Sequence, residues 1–175
     1  MKNVRLTGLA LGLAAMVGSV AIASQGSANP AKTALPSTYS VAQVSEIAAL
    51  EQEVFTRINQ YRTQKGLAPL SSNNAIAQQA RSHSQAMANG SVPFSHDGFS
   101  QRVSAIGQTI AVRGAAENVA YNMGHRNPAQ VAVDGWLKSP GHRGNIEGNY
   151  SLTGIGIARN ARGEYYFTQI FIRPR

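Results

Sequence analysis

Chemistry in this chain has few residues to work with: four histidines and eight acidic side chains among 175 residues, with no cysteine. Two of the histidines stand in turn-forming surroundings. His96 lies between Ser95 and Asp97-Gly98, and His142 between Pro140-Gly141 and Arg143-Gly144. Turns of this composition aim a side chain out of the scaffold rather than into it. Glu117, in Gly114-Ala115-Ala116-Glu117-Asn118, is a lone acid among small uncharged neighbours. Such a carboxylate needs a partner brought to it by the fold. Two imidazoles and a carboxylate suffice to bind zinc or another divalent cation with one position open. The same three groups can also serve as an acid/base pair. His83 falls on the apolar stripe of a helix and reads as a packed, hydrogen-bonded histidine. His125 reads as a solvated loop residue. Ser95 adjoins His96, but sequence neighbours in a loop rarely face each other, so a serine–histidine pair is not expected there. There is no two-histidine zinc motif on one helix, no nucleophile-elbow serine and no phosphate-cradling glycine loop. Gly154-Ile155-Gly156 leads into a strand and is not a dinucleotide fingerprint.

The elements that must position these residues are readable from periodicity. Val44, Ile47, Leu50, Val54, Ile58 and Tyr61 recur at three and four residues, predicting a helix over 41–65. Ser40 and Gln43 have capping-box spacing at its start, and Gly66-Leu67 close it. A second helix over 75–89 carries Ile76, Ala80, His83 and Met87 on one face, with an N-cap among Ser72, Asn73 and Asn74, and Gly90 at its end. A short helix is expected over 101–106, stopped by Gly107. Asn127-Pro128 starts another, with Ala129, Ala132, Val133, Trp136 and Leu137 on one face, and Pro140 ends it. The period then changes. Ile155 and Ile157 alternate with glycines, 160–163 reads as a turn, and 165–172 as a strand rich in aromatic and β-branched residues. Helices followed by a hairpin predict an α+β fold with helices packed on an antiparallel sheet.

The chain is expected to be exported. Lys2 and Arg5 precede an uncharged run from 6 to 23, which ends in small residues suited to cleavage after Ala23, or alternatively after Ala28. This is the layout of a signal peptide rather than a spanning helix. Residues 24–40, small and polar with Pro30 and Pro36, read as a flexible linker. Residues 41–175 read as one domain, expected to be a monomer with no transmembrane segment once the signal is removed. Without cysteine it has no disulfides and no thiolate zinc site, so its core alone must hold it. The net charge of +8 falls to +6 without Lys2 and Arg5. That excess favours anionic partners such as a lipid headgroup or a cell-envelope polymer. Export argues against nucleic acid and places the domain outside the cytoplasm, secreted or periplasmic.

Seven blocks in order resemble the CAP superfamily, also called the SCP or cysteine-rich secretory domain, in its bacterial cysteine-free branch. They are Asn59-Gln60-Tyr61-Arg62 with Gly66-Leu67-Ala68-Pro69-Leu70; Ala80-Arg81-Ser82-His83-Ser84 with Met87; Phe94-Ser95-His96-Asp97-Gly98; Glu117-Asn118-Val119-Ala120; Gly135-Trp136 with Ser139-Pro140-Gly141-His142-Arg143 and Asn145-Ile146; Gly154-Ile155-Gly156; and Tyr166-Phe167-Thr168-Gln169-Ile170-Phe171. The resemblance implies a three-layer α-β-α sandwich with a central antiparallel sheet and an open cleft. It implies that His96, Glu117 and His142 meet in that cleft, as metal ligands or as the acting residues of a hydrolase. Many animal members carry a second glutamate where this chain has Ser139, and Glu147 is the nearest acid after it. Members of the family are described as lipid carriers, toxins, proteases and defence proteins, so the resemblance carries three expectations: a binding module that takes a divalent metal, a metal- or histidine-dependent hydrolase of peptides or esters, and a lipid or cell-envelope binder.

Overall fold

Apolar spacing of three and four residues makes α1 (Thr38–Gln64), the first element of a computed structural model that describes residues 38–175. Leu50, Val54 and Ile58 are buried, and Ile47 and Tyr61 pack against them. Val44, the expected first member of the stripe, is instead 67% exposed. The helix begins at Thr38, so Ser40 lies within it and is not its cap. Its end matches expectation: Gly66 has φ of +73°, the Gly66 amide donates to Thr63 O at 3.0 Å, and the Leu67 amide donates to Arg62 O at 2.9 Å. Both bonds satisfy carbonyls that the helix terminus would leave unpaired. The signal segment and most of the linker expected from the sequence lie outside the described residues. Among the described residues no helix is long and apolar enough to cross a membrane.

A two-residue strand, β1 (Ser71–Ser72), leads into α2 (Asn74–Ala88). Asn73 caps α2 by accepting from the amides of Ala75 and Ile76. Its stripe of Ile76, Ala80, His83 and Met87 is buried as the spacing predicts. Next comes α3 (Phe99–Ile106), starting two residues earlier than expected and ending at Gly107. The chain then forms β2 (Val112–Met123), a twelve-residue strand that periodicity does not announce. Asn127 accepts from the Gln130 amide to start α4 (Pro128–Lys138). Pro140 does more than end α4. It opens α5 (Pro140–Glu147), where the sequence suggested a turn, because proline suits the first helical position and loses no hydrogen bond there. The hairpin follows as β3 (Leu152–Arg159) and β4 (Glu164–Pro174).

The sheet order is β1-β3-β4-β2. β3 and β2 both run antiparallel to β4, and only the short β1 pairs in parallel, with β3. Alternation along the strands separates two apolar layers. Ile155, Ile157, Phe167 and Phe171 meet Val54, Ile58, Val133 and Trp136 of α1 and α4 on one face. Ile170 and Ile172 meet Ile76, Ala80 and Ile106 of α2 and α3 on the other. The architecture is the α-β-α sandwich that the family resemblance implied. Arg62 ties the C-terminal end of α1 to the region after α5. It is buried, and its guanidinium donates to Ala68 O, Ile146 O, Gly148 O and Tyr150 O. Backbone carbonyls thus satisfy a cation that has no carboxylate partner among the described residues.

Candidate imidazole centre

Glu117 sits midway along β2, opposite Ile170 of β4, on the face turned to α2 and α3. Its side chain is 1% exposed, so its charge must be met inside the protein. Arg102 on α3 meets it with a two-pronged contact: Nε donates to Oε2 at 2.8 Å and Nη2 to Oε1 at 2.7 Å. His96 adds a third bond from its Nδ1 to Oε1 at 3.0 Å. Arg102 Nη1 also donates to Asp97 O at 2.8 Å, and Nη2 lies 3.4 Å from His96 O. One guanidinium thus clamps the loop carrying His96 onto the strand carrying Glu117.

The remaining pieces come from α5 and α2. The His142 ring lies 6.3 Å from the His96 ring, centroid to centroid, at 40°. Asn118 fixes the His142 backbone by donating to its carbonyl at 3.1 Å, and Asn145 donates to Glu117 O and to Asn118 Oδ1. His83 supports the loop from below: its Nε2–H donates to Ser95 O at 2.9 Å. The Ser95 hydroxyl accepts from the Asp97 amide at 3.1 Å, so it serves the turn rather than His96. His96, Glu117 and His142 are therefore brought together, while His83 is buried beneath and His125 is exposed in its loop. Ser139, the position of the missing second glutamate, joins α4 to α5, its amide donating to Gly135 O and Trp136 O. Glu147 accepts from the Tyr61 hydroxyl at 2.6 Å and so is engaged by α1. The residue that sequence reasoning missed is Arg102. Its signal was an arginine four residues before Ile106 on the buried face of a short helix.

The arrangement makes His96 a fixed, one-sided group. With Nδ1 turned to Glu117, Nε2 is the free nitrogen, on a side chain 50% exposed. Half-buried His142 presents the second imidazole, its pKa lowered by burial and by the neighbouring His96. Glu117 is differently placed, since both its oxygens accept from Arg102 and one also from His96. Among the described residues no three histidine, aspartate or glutamate side chains are grouped to hold one metal ion. A centre with Glu117 as a direct third ligand does not fit this geometry.

Burial also lowers the His83 pKa below its ordinary 6.5, against the opposing bond to Ser95 O. The neutral ring belongs to the folded state, and the unfolded chain takes up a proton first as pH falls. Stability from this group is complete above pH 6.5 and declines as pH drops from there through the folded-state pKa. His142 contributes with the same sign. Urea midpoints are expected to fall between about pH 7.5 and about pH 5, with a shallower fall in His83→Gln. A midpoint equally high at about pH 5 in the unaltered chain would exclude this linkage.

Comparison with known proteins places this chain in a family. The family model for the cysteine-rich secretory protein family, CAP, matches residues 55–171. The chain is 32% identical over 158 residues to the uncharacterised protein YkwD of Bacillus subtilis, covering 87% of this chain and 58% of that one. It is 33% identical over 129 residues to the uncharacterised membrane protein YlbC of the same organism, covering 70% of this chain and 34% of that one. The match therefore spans little more than half of one relative and a third of the other. Among solved structures, an extracellular SCP-domain protein from Bacillus anthracis aligns with a TM-score of 0.57 at 28% identity, over 72% of this chain and 41% of that one. An outer surface protein from Borrelia burgdorferi aligns with a TM-score of 0.63 over 73% of this chain and 94% of that one, at an identity of 15% that speaks for the fold alone. With its α-β-α sandwich and a family match over residues 55–171, the chain belongs to the cysteine-rich secretory protein (CAP) family.

Proposed function

We propose that this domain is an extracytoplasmic binding module whose recognition centre is the facing pair of imidazoles, His96 and His142. The observation that carries the reading is the buried Glu117, which holds Arg102 and His96 together and so turns the free nitrogen of His96 toward solvent beside His142. A divalent cation such as zinc is a ligand that two imidazole nitrogens can take, with water completing the coordination. Glu117 then stands behind His96 as the carboxylate that fixes ring orientation. Rings sharing one tetrahedral ion sit about 5 Å apart between centroids, so the exposed His96 has to approach His142 by roughly 1 Å. Ser95 Oγ accepts from the Asp97 amide and so serves the turn of the loop rather than standing as a nucleophile for His96. Action outside the cytoplasm is supported by the signal-like residues 1–23 and by similarity to the extracellular SCP-domain protein of Bacillus anthracis.

Calorimetric titration of the purified chain with zinc tests the centre. Binding through both imidazoles predicts that His96→Ala and His142→Ala each weaken affinity by about tenfold or more. Affinity unchanged in both variants would dismiss the cation. Uptake with no dependence on His142 would dismiss the pair.

A further inference from the structure

Three of the four large apolar side chains exposed among the described residues gather in one place: Phe94 at 53%, Tyr121 at 45% and Met123 at 52%. Exposed apolar groups scattered singly need no explanation, but a contiguous cluster does. Phe94 comes two residues before His96 in the same loop. Tyr121 follows Glu117 by four residues on the same strand face, about 13 Å away at the usual strand rise. The rings form a ladder, with Phe94 and Tyr121 at 6.3 Å between centroids and Tyr121 and Tyr166 at 5.2 Å. Phe94 and Tyr166 also border a groove of about 500 Å³ lined by Met87, Val92, Pro93 and Arg162. That volume is in the range of small-ligand sites.

The ladder is held in place. The Tyr121 hydroxyl donates to Glu164 Oε1 at 3.2 Å, and the Tyr166 hydroxyl lies 3.5 Å from Glu164 Oε2. Asn160 and Arg162 donate to the same carboxylate. These bonds, from Arg162 first and then Asn160, hold the Glu164 carboxyl down to about 2, so it remains charged. Rigid aromatic faces beside a fixed carboxylate and guanidinium lose little conformational freedom when they bind.

We propose that Phe94, Tyr121 and Tyr166 form a carbohydrate subsite that stacks a sugar ring of an anionic glycan strand running on toward His96. A sugar ring has an apolar C–H face for the aromatic rings and hydroxyls for Glu164 and Arg162. The anionic character follows from charge. Arg162, whose side chain is 74% exposed, lines the groove beside Phe94, and the chain without Lys2 and Arg5 carries +6. A lipid surface fits less well, because docking the rings into hydrocarbon would bury the charged Glu164 with them. An added peptide strand is also opposed along β2. Trp136 Nε1 already donates to Val119 O and Asn145 to Glu117 O, which occupies carbonyls of that edge strand.

The inference rests on reading the domain as a binding module, but not on a cation at the imidazoles. The purified chain is titrated with a galacturonic acid oligomer, a chitin hexamer and soluble muramic-acid-containing glycan strands, and separately with phosphatidylglycerol vesicles. The expected result is binding to at least one carboxylate-bearing oligomer, weakened tenfold or more in Phe94→Ser and in Tyr121→Ala. Zinc affinity and thermal midpoint should be unchanged in Phe94→Ser, which shows that the fold and the imidazole pair are intact. Affinity undiminished in both variants, no binding of any oligomer at millimolar concentration, or binding to vesicles alone would each overturn the subsite. Loss of zinc binding in the histidine variants with glycan binding retained would separate the two sites. Absence of zinc binding in the unaltered chain would dismiss the cation and leave the subsite standing.

Discussion

Arg102→Met is expected to destabilise the domain by about 3–5 kcal/mol, as breaking one side of a buried ion pair does. The substitution keeps an unbranched apolar stem in place and removes only the charged fork. It strands Glu117, whose side chain is 1% exposed and which would retain only the bond from His96. It also releases the loop carrying His96, because Arg102 is the donor to Asp97 O. Chemical denaturation should therefore show a lowered midpoint, and NMR should show new mobility over 94–98. A second substitution separates pair energy from general damage. In Arg102→Met with Glu117→Leu no buried charge is left uncompensated, and a large share of the lost stability should return, giving a coupling energy of about 2 kcal/mol or more. A loss below about 1 kcal/mol in the single variant would mean that Glu117 finds water instead, and that the clamp is not what places His96.

What the sequence displayed and what it hid follow from where each signal is generated. Helix ends were legible because they are local chemistry: Asn73 and Asn127 cap, and Gly66 and Gly90 take positive φ. The hairpin was legible through alternating residues and a turn at 160–163. β2 was not, because from Ala116 to Val119 the strand is buried on both faces and carries small and polar residues there. Alternation is lost when neither face meets water. α5 was hidden by Gly141 and Gly144, which lower helix propensity although tertiary packing of Ile146 compensates. Val44 matched the helical period and yet is exposed, on the rim of a groove shared with Ile47 and Ile157. At the site, isolation in small surroundings marked Glu117 as needing a partner, and turn residues marked the two histidines. The partner could not be read from spacing. Arg102 lies fifteen residues away on a separate element, and the fold alone brings the two together.

Gly156→Ala is expected to cost more than about 3 kcal/mol, beyond the usual penalty for an added methyl group. The alternating Gly154-Ile155-Gly156 pattern has a use on each face of β3. Ile155 and Ile157 enter the layer beneath α1, while the glycines let the α2 backbone lie directly on the strand. A Cβ built on Gly156 would stand 2.0 Å from Arg81 N, and one on Gly154 would stand 2.2 Å from Ala77 N. The match is one of pitch: two strand residues advance about 6.7 Å and four helical residues about 6 Å, so Ala77 and Arg81 each sit over a glycine. Backbone cannot rotate away as a side chain end can, so α2 would have to lift. Lifting breaks the bonds from Ser84 Oγ to Gly156 O and to Thr168 Oγ1, both 2.8 Å and buried. It also moves His83 and with it the support beneath Ser95, so the His96 loop should loosen in the same variant. Gly135→Ala is the control. It lies inside α4 with nothing within 4 Å of its added Cβ, and there the lost chain entropy of glycine is recovered as a gain of about 0.5–1 kcal/mol. Denaturation of the two variants should therefore move in opposite directions. A Gly156→Ala domain as stable as the parent would show that α2 rides on the sheet loosely, and that the glycines are not what seats it.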